Sequence, residues 1–185
     1  PFNAPKKYWD LYDPAVFEGF RARSHPGSKT VITYAGTVYK TTSPQCYFDA
    51  LDALPEGARA QIETRFVGRV AEDQRELLES RSDVQLVGYV PQSEAFRWME
   101  ETDFLLLTMT DPSFATGKMY EYLATGKPIL AFSPPGGEVA RTLEETGGGW
   151  CIDPADGAAI RTCMQDAADG KLAARSRPNR GAIRR

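Results

Sequence analysis

The chain has 185 residues, 42% hydrophobic and 25% charged, which accommodates one globular domain with a sizeable core and includes no apolar run long enough to span a bilayer and no signal-peptide h-region near Pro1. Three cysteines (Cys46, Cys151 and Cys163) with no CxxC pair, and the single histidine His25, exclude a disulfide scaffold and a Cys/His zinc site, argue against a self-contained Ser/His/Asp or Cys/His engine, and suit a reducing, cytosolic compartment. The formal net charge of -3 hides a basic tail (Lys171, Arg175, Arg177, Arg180, Arg184, Arg185) on a body of -9 over residues 1–170, a balance that argues against a nucleic-acid partner.

Residues 1–29 begin at Pro1 rather than Met and carry Tyr8, Trp9, Phe17 and Phe20 without a clean period. They read as a lead-in from a missing amino-terminal neighbour. Residues 30–170 form the domain proper, and 171–185 the basic tail. Within the domain, short Val/Ile/Phe-rich runs at 30–35, 62–67, 84–87, 103–108, 128–132 and 149–152 alternate with helix-period segments. That alternation predicts an α/β fold, a Rossmann-like doubly wound parallel sheet of about six strands. Ser43 followed by Pro44 reads as an N-cap and first helical residue, with Tyr47, Ala50, Leu51 and Leu54 as one apolar face that Pro55 and Gly57 end. Further helices are predicted at 72–80, 92–101 (Ala95, Phe96 and Met99 inward), 118–125, 139–146 and 156–168. Gly126 reads as the C′ residue after the helix at 118–125.

In such a sheet, ligands bind outside the carboxyl ends of the strands. The first loop, Gly36-Thr37-Val38-Tyr39-Lys40, lacks GxGxxG but offers a glycine for close backbone approach and a lysine that could reach a phosphate, a tight turn with a solvated lysine being the alternative. After the third strand, Gly88-Tyr89-Val90-Pro91 is read either as a frame of backbone groups for a flat base or as a common turn. From Asp111 to Pro128 a loop of small residues runs into a helix, so free N–H groups and the positive dipole end, joined by Lys118, suit an anion. Glu121 follows at i+3, where a carboxylate can accept two hydrogen bonds from ribose hydroxyls. An intrahelical Lys118–Glu121 pair, worth about 0.2 to 0.5 kcal/mol, is the alternative use of the same spacing.

The order of Tyr34-Ala35-Gly36-Thr37, Phe66-Val67-Gly68, Val84-Gln85-Leu86-Val87-Gly88-Tyr89-Val90, Lys118-Met119-Tyr120-Glu121-Tyr122-Leu123-Ala124-Thr125-Gly126-Lys127-Pro128 and Glu138-Val139-Ala140 resembles the carboxyl-terminal half of GT-B glycosyltransferases of family 4 (group 1), over about residues 30–155. The resemblance implies the sugar-nucleotide domain of a retaining, metal-independent, hexosyltransferase-type enzyme of polysaccharide or glycoconjugate synthesis. It implies no cofactor beyond the nucleoside diphosphate sugar donor. Acceptor and much of the catalytic apparatus would lie in the missing amino-terminal domain, leaving this chain inactive in transfer by itself. A cytoplasmic location, with the tail a contact for the inner membrane face, belongs to the same expectation. Glu121 looks like the second glutamate of the family's E-x7-E motif, which holds the donor ribose. Lys118 with Gly117 looks like a diphosphate binder, and Lys40 with Gly36 and Thr37 resembles the basic first loop. Gly88, Tyr89 and Val90 are similar to the loop beside the base. Lys118 and Lys40 would then act by stabilising the leaving diphosphate. Separated from Glu121 by seven residues stands Ser113, where the family often has the first glutamate, which contacts the donor sugar; Asp111 is the neighbouring candidate for that task. A nucleotide-sensing module without turnover, and a sugar-nucleotide epimerase on a related frame, are the competing readings.

Overall fold

Six runs rich in branched and aromatic residues, suited to a sheet covered on both faces, form β1 (Thr30–Ala35), β2 (Ile62–Val67), β3 (Val84–Gly88), β4 (Phe104–Thr108), β5 (Ile129–Phe132) and β6 (Gly149–Ile152). The computed structural model describes residues 29–111 and 117–172. Every strand pair is parallel and the order is β3-β2-β1-β4-β5-β6, the doubly wound arrangement expected from the alternating pattern. The strands are joined through α1 (Gln45–Asp52), α2 (Glu56–Arg59), α3 (Glu72–Glu79), α4 (Gln92–Glu100), α5 (Gly117–Thr125) and α6 (Glu138–Thr146), and α7 (Gly157–Ala168) follows β6.

Side chains alternate across the sheet into two cores. Ile32, Tyr34, Phe66, Leu106 and Phe132 pack with Tyr47, Phe48 and Leu51 of α1 and Ile160 and Met164 of α7. On the other face Ala35, Val67, Leu105 and Leu107 pack with Phe96 and Met99 of α4, Met119 and Leu123 of α5 and Leu143 of α6. Burying each such side chain is worth about 1.5 to 3 kcal/mol, so α5 is held to the sheet by a whole apolar stripe. Edge strand β3 is the poorly covered one, and Arg81 anchors its start by pairing with Asp52 of α1 and Asp83 while lying 4.4 Å over the Phe48 ring.

Local boundaries differ from the sequence reading in one informative place. Pro44, not Ser43, caps α1: its carbonyl takes the Phe48 N–H at 3.1 Å, whereas Ser43 closes a 3-10 turn over Lys40–Thr42 with its N–H on the Lys40 carbonyl. A proline can serve there because the cap position contributes a carbonyl and needs no N–H. Pro55 and Gly57 do not end α1, which stops at Asp52 with Ala53 as its C-cap; Pro55 instead caps the four-residue α2, which contains Gly57. Gly126 does adopt the left-handed conformation after α5, with φ 69°. The lead-in aromatics Tyr8, Trp9, Phe17 and Phe20 and the tail arginines lie outside the described residues. Leu172, at the start of the tail, is buried in the core beside α7, and Lys171 pairs with Asp169.

Candidate functional site

The strand order reverses between β1 and β4, so the chain leaves these neighbours in opposite directions and opens a crevice at their carboxyl ends. The loops around it are stitched by backbone hydrogen bonds. Gly36 N–H donates to the Val67 carbonyl at 2.7 Å, Gly68 N–H to Gly88 at 2.8 Å, Val38 N–H to Arg69 at 2.9 Å and Thr110 N–H to Thr41 at 2.9 Å. The Thr108 hydroxyl adds a bond to the Thr42 carbonyl at 2.6 Å. Such closeness requires Gly36 and Gly68, with φ of 128° and 136°: any side chain on Gly68 would collide with the Gly36 carbonyl.

Gly36 has a second task that sequence alone did not reveal. A Cβ placed there would lie 2.7 Å from Cε and 3.0 Å from Nζ of Lys118. Lys118 starts on α5, on one face of the sheet, and crosses the carboxyl edge through the notch that Gly36 leaves. Its ammonium ends 3.5 Å from the centre of the Tyr34 ring, which belongs to the opposite face. Among the described residues Lys118 has no hydrogen-bond acceptor, and it makes no contact pair with Glu121, so the intrahelical salt bridge is not formed. Burial pushes its pKa down to about 7, with the Glu121 charge acting the other way. Glu121 is half-buried, and burial raises its carboxyl pKa while Lys118 lowers it. The two ionisable groups therefore share one desolvated corner without satisfying each other.

The helix that carries them is fixed by the tyrosines on either side of Glu121. The Tyr122 hydroxyl receives the Ala35 N–H at 2.7 Å and donates to the Ala35 carbonyl at 3.1 Å, pinning α5 to the last residue of β1. Tyr120 donates to Oε1 of Glu138 at 2.5 Å, tying α5 to the first residue of α6. Neither tyrosine was assigned a task in the sequence, because an apolar-face aromatic at helical spacing looks the same whether its hydroxyl is used or not.

Lys40 sits exposed on the 3-10 turn, and Thr37 is half-buried with its carbonyl holding the Tyr34 hydroxyl at 2.9 Å. Gly88 takes φ 81° where β3 ends, Tyr89 is 69% exposed, and Val90 packs partly against the core beneath α4. Arg69, from the loop after β2, lays its guanidinium 4.5 Å from the centre of the Tyr89 ring. Gly117 is the exposed first residue of α5. Thus the loops bearing Gly36, Thr37, Lys40, Gly88, Tyr89 and Val90 and the start of α5 all meet the same edge of the sheet. Ser113 lies outside the described residues, while Asp111 is exposed at their limit. Among the described residues no three His, Cys, Asp or Glu side chains come together as a metal site, and no helix is long and apolar enough to cross a membrane.

A Rossmann-like α/β domain with a polar, lysine-bearing crevice at its switch point is the class that fold and site define. Residues 29–169 match the family model for Glycosyl transferases group 1, and the chain belongs to that family. Over 82 residues it is 33% identical to a probable glycosyltransferase, WbjE, of Pseudomonas aeruginosa, covering 43% of this chain and 20% of that protein. The carboxyl-terminal domain of a group 1 glycosyl transferase, LpcC, from Francisella tularensis superposes with a TM-score of 0.56 at 14% identity, covering 80% of each chain. Anabaena HepE, solved with UDP and glucose, gives a TM-score of 0.53 at 19% identity over 93% of this chain and 50% of its own. The chain thus spans half the length of the Anabaena protein.

Proposed function

We propose that this domain binds the sugar-nucleotide donor of a retaining, metal-independent hexosyltransferase whose acceptor half is a separate amino-terminal domain. The observation that carries this reading is the Lys118 ammonium, desolvated beside Gly36 and the start of α5 with no hydrogen-bond acceptor among the described residues. A diphosphate supplies the oxygens such a group lacks. Glu121, three residues on, accepts the ribose hydroxyls, and the Gly88–Val90 loop lies along the base. Breaking a glycosyl phosphate bond builds negative charge on the leaving diphosphate. Lys118, Lys40 and the N–H groups opening α5 stabilise that charge as it develops, and no proton carrier is needed for this step. The Anabaena relative's UDP makes that nucleotide the first probe to use. The cytoplasmic placement and contact of the tail with an anionic membrane face complete the proposal.

The test is a calorimetric and thermal-shift titration with UDP, GDP, ADP and their sugar conjugates. The accepted ligand at 100 times its Kd should add about 2.7 kcal/mol of stability. Glu121→Ala should bind it about 1.5 to 3 kcal/mol more weakly with an unchanged melting temperature, and the wild-type chain alone should transfer no sugar to an acceptor. Normal binding by Glu121→Ala with earlier melting would return that residue to a structural role.

A further inference from the structure

Tyr34, the aromatic residue of β1, is fully buried and stacks on Phe66 with ring centres 5.2 Å apart. Its hydroxyl reaches the Thr37 carbonyl at 2.9 Å and the Thr42 hydroxyl at 3.1 Å, bracing both ends of the segment that carries Lys40. Thr42 in turn receives the Tyr39 N–H at 2.9 Å. The ring face presented to the crevice carries the Lys118 ammonium at 3.5 Å. One side chain therefore touches both lysine-bearing elements, which lie 78 positions apart in sequence.

We propose that Tyr34 is the positioning residue of this site: its ring seats the Lys118 ammonium, and its hydroxyl braces the loop that carries Lys40. This rests on the reading of those lysines as diphosphate binders. A lysine has four rotatable bonds, so an unseated Lys118 would lose much rotamer freedom on meeting a ligand. An aromatic face removes part of that cost beforehand, because its quadrupole attracts the cation. It also offers no carboxylate or carbonyl that a phosphate would have to displace. A carboxylate seat would hold the lysine more strongly and compete with the ligand. The notch at Gly36 completes the seat, since any side chain there would meet Lys118 Cε. Burial pushes the Tyr34 phenol up to about 12, so its hydroxyl keeps its proton through the physiological range.

The experiment uses the full chain, NMR of the Lys118 ε-methylene protons, and UDP titration by calorimetry. The ring current should shift these protons upfield in the wild type and in Tyr34→Phe, and leave them at their ordinary position in Tyr34→Leu. UDP binding should weaken about tenfold in Tyr34→Leu and about threefold in Tyr34→Phe, which keeps the seat and loses only the brace. In a Lys118→Ala background, Tyr34→Leu should cost no more than Tyr34→Phe does. An unshifted ε-methylene in the wild type overturns the seat whether or not Tyr34→Leu folds, and a full tenfold further loss in the Lys118→Ala background reduces Tyr34 to core packing. If Lys118→Ala binds UDP like the wild type while the upfield shift is present, it is the diphosphate reading that fails, and the seat stands without that use.

Discussion

Two lysines at opposite ends of the same helix and turn have been given opposite tasks. Lys127, between α5 and β5, is 6% exposed and donates its ammonium to the Thr102 carbonyl at 2.6 Å at the amino edge of the sheet. Lys118, at the carboxyl edge, faces an aromatic ring. Burial lowers the pKa of both. A buried cation with a carbonyl is a satisfied structural group, whereas one with only a ring leaves its hydrogen-bonding capacity unused. The amino edge has its own groove of about 460 Å³, lined by Glu56, Arg59, Glu63 and Asp83 among others. Of the charges that line it, Arg59 pairs with Asp52, Glu63 with Arg65 and Asp83 with Arg81.

The comparison breaks most severely if the notch is closed. Gly68→Val sets a side chain against the Gly36 carbonyl in a left-handed conformation, and should cost about 3 kcal/mol in chemical denaturation and abolish UDP binding with it. Next in size is the reciprocal pair. Lys127→Met, which leaves the Thr102 carbonyl unpaired, should lower unfolding stability by about 2 kcal/mol and leave UDP affinity unchanged; Lys118→Met should do the reverse, weakening UDP by about 2 kcal/mol without loss of stability. Equal behaviour of the two variants in both assays would erase the distinction.

Acidity sharpens the contrast further. The folded pKa of Lys118, near 7, lies below its unfolded value, so between pH 7 and 10 the unfolded chain binds the extra proton and stability should rise with pH. Lys127 contributes with the same sign, and the difference between wild type and Lys118→Met isolates Lys118. A diphosphate favours the charged lysine, so UDP affinity should be greatest below pH 7 and fall above it by up to about tenfold per pH unit, with proton uptake visible as a buffer-dependent heat. A pH-independent affinity between 6 and 9 would mean that Lys118 does not meet the ligand. The smallest effect concerns the tail. Because Leu172 is buried, the intact chain is compared with one that ends at Leu172. Co-sedimentation with anionic vesicles at low salt should favour the intact chain, each arginine adding on the order of 1 kcal/mol at best, and the advantage should fade at moderate ionic strength.

Much of this was legible in one dimension. The six strands and their parallel, doubly wound arrangement follow from apolar runs alternating with helix-period segments, and Gly126 before Pro128 marked the end of α5. Lys118 and Glu121 stood out because a small-residue loop entering a helix leaves backbone N–H groups free at its start. The shift of the α1 cap from Ser43 to Pro44 was missed because a serine before a proline is a strong local signal, while the 3-10 turn that claims Ser43 is set by Thr42 and Tyr34, contacts beyond a local window. Tyr34, Tyr120 and Tyr122 are core residues. Their hydroxyls and ring faces acquire partners only when β1, α5 and α6 are brought together.

The sequence by itself determined the fold class and the gathering of Lys118, Glu121 and the Gly36 loop at the carboxyl edge of the sheet, because periodicity and turn residues are local properties. Tertiary structure alone decided that Lys118 turns away from its helical neighbour Glu121, passes over Gly36 and rests on Tyr34. That choice depends on a notch made by two glycines 32 positions apart and on a ring from the other face of the sheet, so it is fixed by packing across the strand order and by no pattern along the chain.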